Sequence, residues 1–243
     1  MSVRVQLARL PTRYGFSILA HRYSFFAKEI QRAEENPFYQ NGIGTYEHFE
    51  SEKVISLVRP NDFCIDAGAH VGYFTCLMAN AGASVIACEP NPEVLVLLRE
   101  NAEAFNGRIM VINEALTDQE GRSALHLSSE FDDGLSSLCW PQSGPTISVR
   151  TTRLDDLVEA GTKIRLLKLD VEGSELAALR GLGKLLADVE YILIECASSN
   201  TQIPEINDLL HGWTVQRCGL GTWDRMSAAL PDGNYLFTNP KVA

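Results

Sequence analysis

Five short apolar runs, each closed by a polar side chain, constrain this chain more than any other feature of its sequence. They are Phe63–Asp66, Ser84–Glu89, Ile109–Asn113, Ile164–Asp170 and Val189–Glu195. Each has the length of a strand and is rich in apolar residues rather than strictly alternating, the pattern of a strand buried on both faces. Helical patterns lie between them, and that alternation builds an α/β fold with a doubly wound, mostly parallel sheet. The clearest helix follows the second run. Asn91 suits its N-cap and Pro92 its first turn, and Val94, Leu98, Ala102 and Phe105 form one apolar stripe.

Other regions depart from this rhythm. Within residues 119–151, Ser123–Leu127 and Thr146–Thr151 alternate with period two around a polar stretch, Ser128–Ser143. This predicts an inserted antiparallel element carrying a long loop, and loops of that length in compact domains are usually lids or binding loops. Near the end a helix is expected over Ile203–His211, then two closing strands, Trp213–Gly219 and Tyr235–Thr238, as an antiparallel edge pair. The main domain is therefore expected to span 51–243, with residues 1–50 as a helical appendage or lid.

Charge and cysteine usage narrow the function classes. The formal net charge of −10 repels phosphate backbones, which disfavours nucleic acid as a partner. Residues 1–28 run the other way, with Arg4, Arg9, Arg13, Arg22 and Lys28 and no acid. Such a leader either packs on the domain as a helix or touches a membrane surface or acidic partner; its scattered apolar positions favour packing. No apolar run approaches the roughly 20 residues of a membrane span, and no secretory signal is visible. Cys64, Cys76, Cys88, Cys139, Cys196 and Cys218 show no paired metal spacing. Buried, reduced thiols in a cytoplasmic protein are the expectation, and a homodimer is compatible with the chain.

The chemistry concentrates where the strands end. Asp66, Glu89, Asp170 and Glu195 each close a different strand, and Asn113 closes a fifth. Ligands of open α/β sheets bind outside those ends, near the switch in strand order. After the first strand comes Asp66-x-Gly68-x-x-x-Gly72, with His70 where a dinucleotide fingerprint would have its second glycine. An acid ahead of the glycines suits a cationic amino or sulfonium group better than a diphosphate, so the spacing leans toward S-adenosylmethionine and away from a nicotinamide cofactor. Glu89 follows Asp66 by 23 residues, at the place where an acid accepts the two ribose hydroxyls of an adenosine.

Asp66–Thr75, Cys88-Glu89-Pro90-Asn91-Pro92, Leu154-Asp155 and above all Lys168-Leu169-Asp170-Val171-Glu172-Gly173-Ser174-Glu175 together resemble the FkbM family of S-adenosylmethionine-dependent methyltransferases. The resemblance covers roughly residues 60–200. It implies a class I, Rossmann-like sheet of seven strands and methylation of a hydroxyl, often on sugars or natural products. By position it implies that Asp66, Gly68, Ala69, His70, Gly72 and Tyr73 cradle the methionine part of the cofactor. Glu89, Pro90 and Asn91 would then hold the ribose, and Asn113, Glu114 and Ala115 would lie at the adenine, a turn at a strand end explaining these last three nearly as well.

Along an extended strand Lys168, Asp170 and Glu172 share one face, Gly173 permits a turn, and Ser174 is placed to cap a helix whose Leu176 and Leu179 face the sheet. Methyl transfer to a hydroxyl needs positioning and a base. Asp170 or Glu172 suits the base, with Lys168 beside them keeping them ionised, and equally suits a structural network with Lys168. Asp170 is also expected to border the cofactor, and His70 is a second base candidate, or presents only its backbone. Asp170, Glu172 and Glu195 with waters would make a divalent-metal site, although no dense ligand motif supports one. Acceptor contacts are expected from Glu195 and the insertion, with Phe131, Ser136 and Ser137 named there and Trp140 and Tyr73 as possible wall residues. The acceptor is expected to be a small molecule or glycan. Amine methylation, or a scaffold that has lost its chemistry, are the rival readings.

Overall fold

All five apolar runs are strands, and with three more they form one mixed sheet. The computed structural model describes residues 7–21, 47–128, 135–142, 144–196, 202–219, 222–225 and 233–242. In chain order the elements are β1 (Leu7–Pro11), β2 (Ser17–His21), α1 (His48–Leu57), β3 (Phe63–Ala67), α2 (Tyr73–Asn80), β4 (Ser84–Cys88), α3 (Pro92–Glu103), β5 (Ile109–Ile112), β6 (Ala115–Leu116), β7 (Gly121–His126), β8 (Thr146–Thr152) and α4 (Leu154–Leu157). They continue with β9 (Ile164–Leu169), α5 (Glu175–Arg180), a 3-10 helix (Gly183–Asp188), β10 (Val189–Cys196), α6 (Ile203–Leu209), β11 (Thr214–Gly219), β12 (Thr222–Arg225) and β13 (Gly233–Thr238).

The large sheet runs β12-β11-β13-β10-β9-β3-β4-β5. β5, β4, β3, β9 and β10 are mutually parallel, and β13 runs antiparallel between β10 and β11. Seven of these strands are those of the expected doubly wound sheet. The eighth, β12, pairs only with β11 at the edge.

Period-two alternation sorts each central strand between two layers. Ile65, Ala67, Leu167, Leu169, Ile192 and Ile194 join one core with Leu154, Leu176, Leu179 and Ile206 of α4, α5 and α6. Cys64, Leu166 and Leu193 join the other, with Val54 of α1, Phe74 and Leu77 of α2, and Ile18 of β2. Burial on both faces is why these runs are nearly all apolar, and why a polar residue inside them stands out.

The N-terminal region corrects the expected helix. Residues 7–21 form a β-hairpin, with Leu7 opposite His21 and Pro11 opposite Ser17. Turn chemistry decides it. The Thr12 N–H donates to the Phe16 carbonyl at 2.9 Å and the Gly15 N–H to Thr12, with Gly15 at φ +85°. Apolar positions that scatter under a helical period fall inward from a ribbon, where Ile18 and Ala20 are fully buried. Phe25 and Phe26 lie outside the described residues, as do Arg4, Arg22 and Lys28 of the leader. The insertion is antiparallel as expected: β7 pairs with β8 from Gly121↔Thr151 to His126↔Thr146, and β6 adds a parallel third strand. No helix among the described residues is long and apolar enough to cross a membrane.

Candidate active site

Strand register delivers four of the five predicted polar residues to one row, whereas Asp66 stands inside β3, paired with Ala87 and Lys168, two residues short of it. The last paired row across the parallel strands is Ile112, Cys88, Ala67, Leu169 and Ile194. One residue further along each strand stand Asn113, Glu89, Gly68, Asp170 and Glu195. The chain moves outward from β3 to β4 and β5, then returns to β9 on the other side of β3, so the switch in order falls between Gly68 and Asp170.

The glycine turn is built by the protein's own backbone. Gly68, His70 and Gly72 have φ of +78°, +50° and +93°. The N–H groups of Gly68 and Ala69 both donate to the Cys88 carbonyl, at 3.0 and 3.1 Å, and the Gly72 N–H donates to Ala69 at 2.8 Å. A Cβ at Gly68 would overlap the carbonyl oxygen of Asp170, and one at Gly72 would lie 2.6 Å from Leu98 Cδ1. Both glycines are therefore demanded by packing as well as by dihedral. Asn101 of α3, unnoticed in the sequence, holds the turn from outside, its Nδ2 donating to the Val71 carbonyl at 2.8 Å. Tyr73 turns into the core, where its ring meets Phe16 and Phe74 and its hydroxyl lies 3.1 Å from that of Ser51.

Two acids border this turn. Asp66 is 1% exposed; its Oδ2 accepts the Thr75 hydroxyl at 2.5 Å and its Oδ1 is buried with no hydrogen-bond partner. Burial pushes its carboxyl up, against the pull of Lys168 and of the Thr75 hydroxyl. Glu89 is held at both oxygens, Oε2 accepting the His70 N–H and Oε1 the Asn91 N–H, each at 2.8 Å. Burial raises its carboxyl too, despite those two donors. A carboxylate oxygen has two lone pairs, so each keeps one for a further donor. Pro90 and Asn91 carry the chain into α3, where Asn91 Oδ1 accepts the Glu93 N–H at 3.0 Å as expected for a cap. Asn113 Nδ2 donates to the carbonyls of Glu89 and Pro90 at 3.0 and 3.2 Å. Glu114 pairs with Arg150 at 2.7 Å, and Ala115 is buried in β6.

Opposite lies the acid turn. Lys168 is 5% exposed; its ammonium sits 4.7 Å over the Phe74 ring and donates to Asp170 Oδ2 at 2.8 Å. Burial alone would lower its pKa; Asp170, Glu47 and Asp66 outweigh it and hold the ammonium firmly charged. Glu195, on the neighbouring strand, is pushed up to about 9, first by Asp170 and then by burial, Glu47 and Glu172. Glu172 leaves the strand at φ +47° rather than continuing the shared face expected of it. A second correction concerns Ser174, which makes no capping bond to α5. Glu175 braces the turn ahead of α5 instead: its Oε1 accepts the Gly173 N–H at 3.0 Å, and burial raises its carboxyl. Leu176 and Leu179 face the sheet core as expected.

Of the insertion residues singled out in the sequence, Phe131 lies outside the described residues. Ser136 Oγ accepts the Ser128 N–H at 3.3 Å. Ser137 is fully buried, and its hydroxyl donates to the Glu172 carbonyl at 2.6 Å. Trp140 rests on Gly173, where any Cβ would overlap its ring. Sequence reading placed the loop near the site but missed this docking. Its one trace was a glycine directly after Glu172. Among the described residues no group of three or more His, Cys, Asp or Glu is arranged to hold a metal ion. Cys64, Cys76, Cys88 and Cys196 are buried free thiols, whereas Cys139 is exposed.

The family model described as Methyltransferase FkbM domain matches residues 66–219, more than half of the chain. Among curated proteins, the hexuronic acid methyltransferase AglP of Haloferax volcanii is 29% identical over 137 residues, 56% of each chain. A Methanobrevibacter smithii protein assigned as a decarboxylating cobalt-precorrin-6B C(15)-methyltransferase is 31% identical over 77 residues, 32% of this chain and 40% of its own. The matches thus span about half the length of these relatives. A solved structure assigned as an rRNA methylase of Clostridium thermocellum superposes with a TM-score of 0.50 at 11% identity, covering 78% of this chain and 92% of its own.

Proposed function

The chain belongs to the FkbM family of S-adenosylmethionine-dependent methyltransferases, and on that premise we propose that it methylates a hydroxyl of a sugar or glycan acceptor. The observation that carries the reading is the row of strand-end residues: a fixed acid beside a glycine turn on one side of the switch point, and a cluster of carboxylates on the other. The resemblance to a hexuronic acid methyltransferase supports a sugar. The net charge of −10 speaks against a phosphate backbone as acceptor.

The residues present fit the cofactor. Glu89 is pre-oriented by two backbone N–H groups with lone pairs to spare, as a pair of ribose hydroxyls requires. The buried, unpartnered Oδ1 of Asp66 and the acids beyond it suit a ligand carrying positive charge. When bound, S-adenosylmethionine supplies an electrophilic methyl group on a sulfonium.

The rest falls to side chains. Asp170 has one oxygen held by Lys168, while Oδ1 makes no hydrogen bond within the described residues, and it serves as the base that takes the acceptor's hydroxyl proton. Glu195, protonated near neutral pH, donates a hydrogen bond that orients the acceptor. Glu172 lines the same edge.

Radiolabelled methyl transfer to a panel of hexoses, hexuronic acids and amines tests the proposal. Sugar hydroxyls are expected to accept label, and Asp170→Asn to lose about 100-fold in kcat or more while still binding S-adenosylhomocysteine. Glu89→Ala is expected to weaken that binding at least about ten-fold, since it removes a charged hydrogen-bond partner. Label on amines alone, or a fully active Asp170→Asn, would sink the reading.

A further inference from the structure

The insertion is fastened to the acid turn rather than suspended over it. The Ser137 hydroxyl donates to the Glu172 carbonyl at 2.6 Å and accepts the N–H groups of Cys139 and Trp140 at 3.0 and 3.3 Å. The Cys139 thiol donates to the Gly173 carbonyl at 3.2 Å, and the Trp140 ring leaves Gly173 no space for a side chain. Ser137 is itself anchored to the end of β7, exchanging backbone hydrogen bonds of 2.8 and 3.0 Å with His126.

These contacts converge on one peptide unit. Its carbonyl, from Glu172, is held by Ser137 on the insertion; its N–H, from Gly173, is held by the carboxylate of Glu175 on α5. Glu172 is at φ +47°, a conformation costing a side-chain-bearing residue roughly 1–3 kcal/mol that persists only where the surroundings over-determine it. A peptide plane gripped at both ends is such a surrounding. The apolar core of the insertion lies among Ala115, Leu125, Leu127 and Val149, and Leu138 of the docked segment packs against it, so apolar packing holds this segment while its polar groups reach the acid turn.

We infer that Ser137 is a positioning residue of the acceptor site: with Glu175 it clamps the Glu172–Gly173 peptide and so sets where the Glu172 carboxylate stands relative to Asp170 and Glu195. Ser137 therefore acts on acceptor binding without touching the acceptor. The inference rests on the acceptor reading given above, and its test separates the two.

Ser137→Ala and Ser137→Thr are compared with the parent in the full chain. Ser137→Ala is expected to raise the acceptor KM on the order of ten-fold, the loss of one buried hydrogen bond, with S-adenosylhomocysteine affinity unchanged, and Ser137→Thr to restore it. Retained affinity certifies that the variant is folded. An acceptor KM within two-fold of the parent, or cofactor affinity falling in parallel, overturns the inference. If the parent methylates no hydroxyl acceptor, the functional reading fails, and labelling of Cys139 by a disulfide reagent decides the clamp alone. Faster labelling in Ser137→Ala, reversed in Ser137→Thr, upholds it. An unchanged rate defeats it.

Discussion

Gly68 answers to two constraints at once. Its φ of +78° is readily adopted only by glycine, and the Asp170 carbonyl oxygen occupies the space a Cβ would need. Gly107 and Gly161 also have positive φ, at +78° and +87°, but nothing lies within 4 Å of their Cβ positions. Gly68→Ala is therefore expected to cost about 3 kcal/mol or more, and Gly161→Ala about 1 kcal/mol, because only the first adds a steric clash to the strain. Urea denaturation of both variants checks this, and equal losses would show that the Asp170 contact relaxes freely. Sequence reading found Gly68 and assigned it to a ligand. That assignment was incomplete, since contact between the ends of β3 and β9 depends on strand neighbours that are far apart in the chain.

At the scale of elements, one buried side chain hydrogen-bonds both the N-terminal hairpin and the glycine turn. Asn101 Oδ1 accepts the Leu19 N–H at 2.7 Å, and its Nδ2 donates to the carbonyls of Leu19 and Val71 at 3.0 and 2.8 Å. The Arg9–Glu100 pair nearby is half-exposed on both sides and contributes about 0–1 kcal/mol. Buried hydrogen bonds that leave partners unsatisfied when broken cost about 1–3 kcal/mol each. Asn101 therefore outweighs the ion pair. Asn101→Ala is expected to lower stability by about 3 kcal/mol and to raise amide exchange in residues 17–21 and in the turn around Val71 together, as measured by mass spectrometry. Exchange rising in the hairpin alone would mean that the two are not coupled. The central strands and the capped helix α3 were legible because burial on both faces and cap chemistry leave local marks. The hairpin was not, because residues 7–21 show no strict alternation and their partner surface is assembled from α1, α2 and α3, far along the chain.

Across the whole molecule, the sheet gathers like charges at one edge. Glu195 feels Asp170, Glu47 and Glu172, with Lys168 set against them, and is pushed up to about 9. Its proton is thus held more tightly in the folded chain than in the unfolded one. The resulting stability is fully present below the ordinary carboxylate range and is lost as pH rises toward 9. Melting temperature is accordingly expected to fall between pH 5 and pH 9. Glu195→Gln, neutral throughout, is expected to flatten that fall by several degrees, each kcal/mol being worth roughly 2–4 °C in a chain of this size. Identical pH profiles for the two proteins would contradict the burial and charge argument. Residual slope is expected from Asp66, Glu89 and Glu175, whose carboxyls are also raised by burial.

The sequence by itself determined the five central strands, the polar residues that follow them and the family, because each of these is written in contiguous residues: runs buried on both faces, an acid at or near the strand end, an eight-residue motif. Only the tertiary structure decided what those residues do for one another. The row Asn113, Glu89, Gly68, Asp170 and Glu195 exists through inter-strand register. Both oxygens of Glu89 are taken up by neighbours across a turn, and the peptide after Glu172 is gripped from the insertion and from α5. Such contacts join residues separated by tens of positions, and their energy depends on distances set by the whole packed sheet.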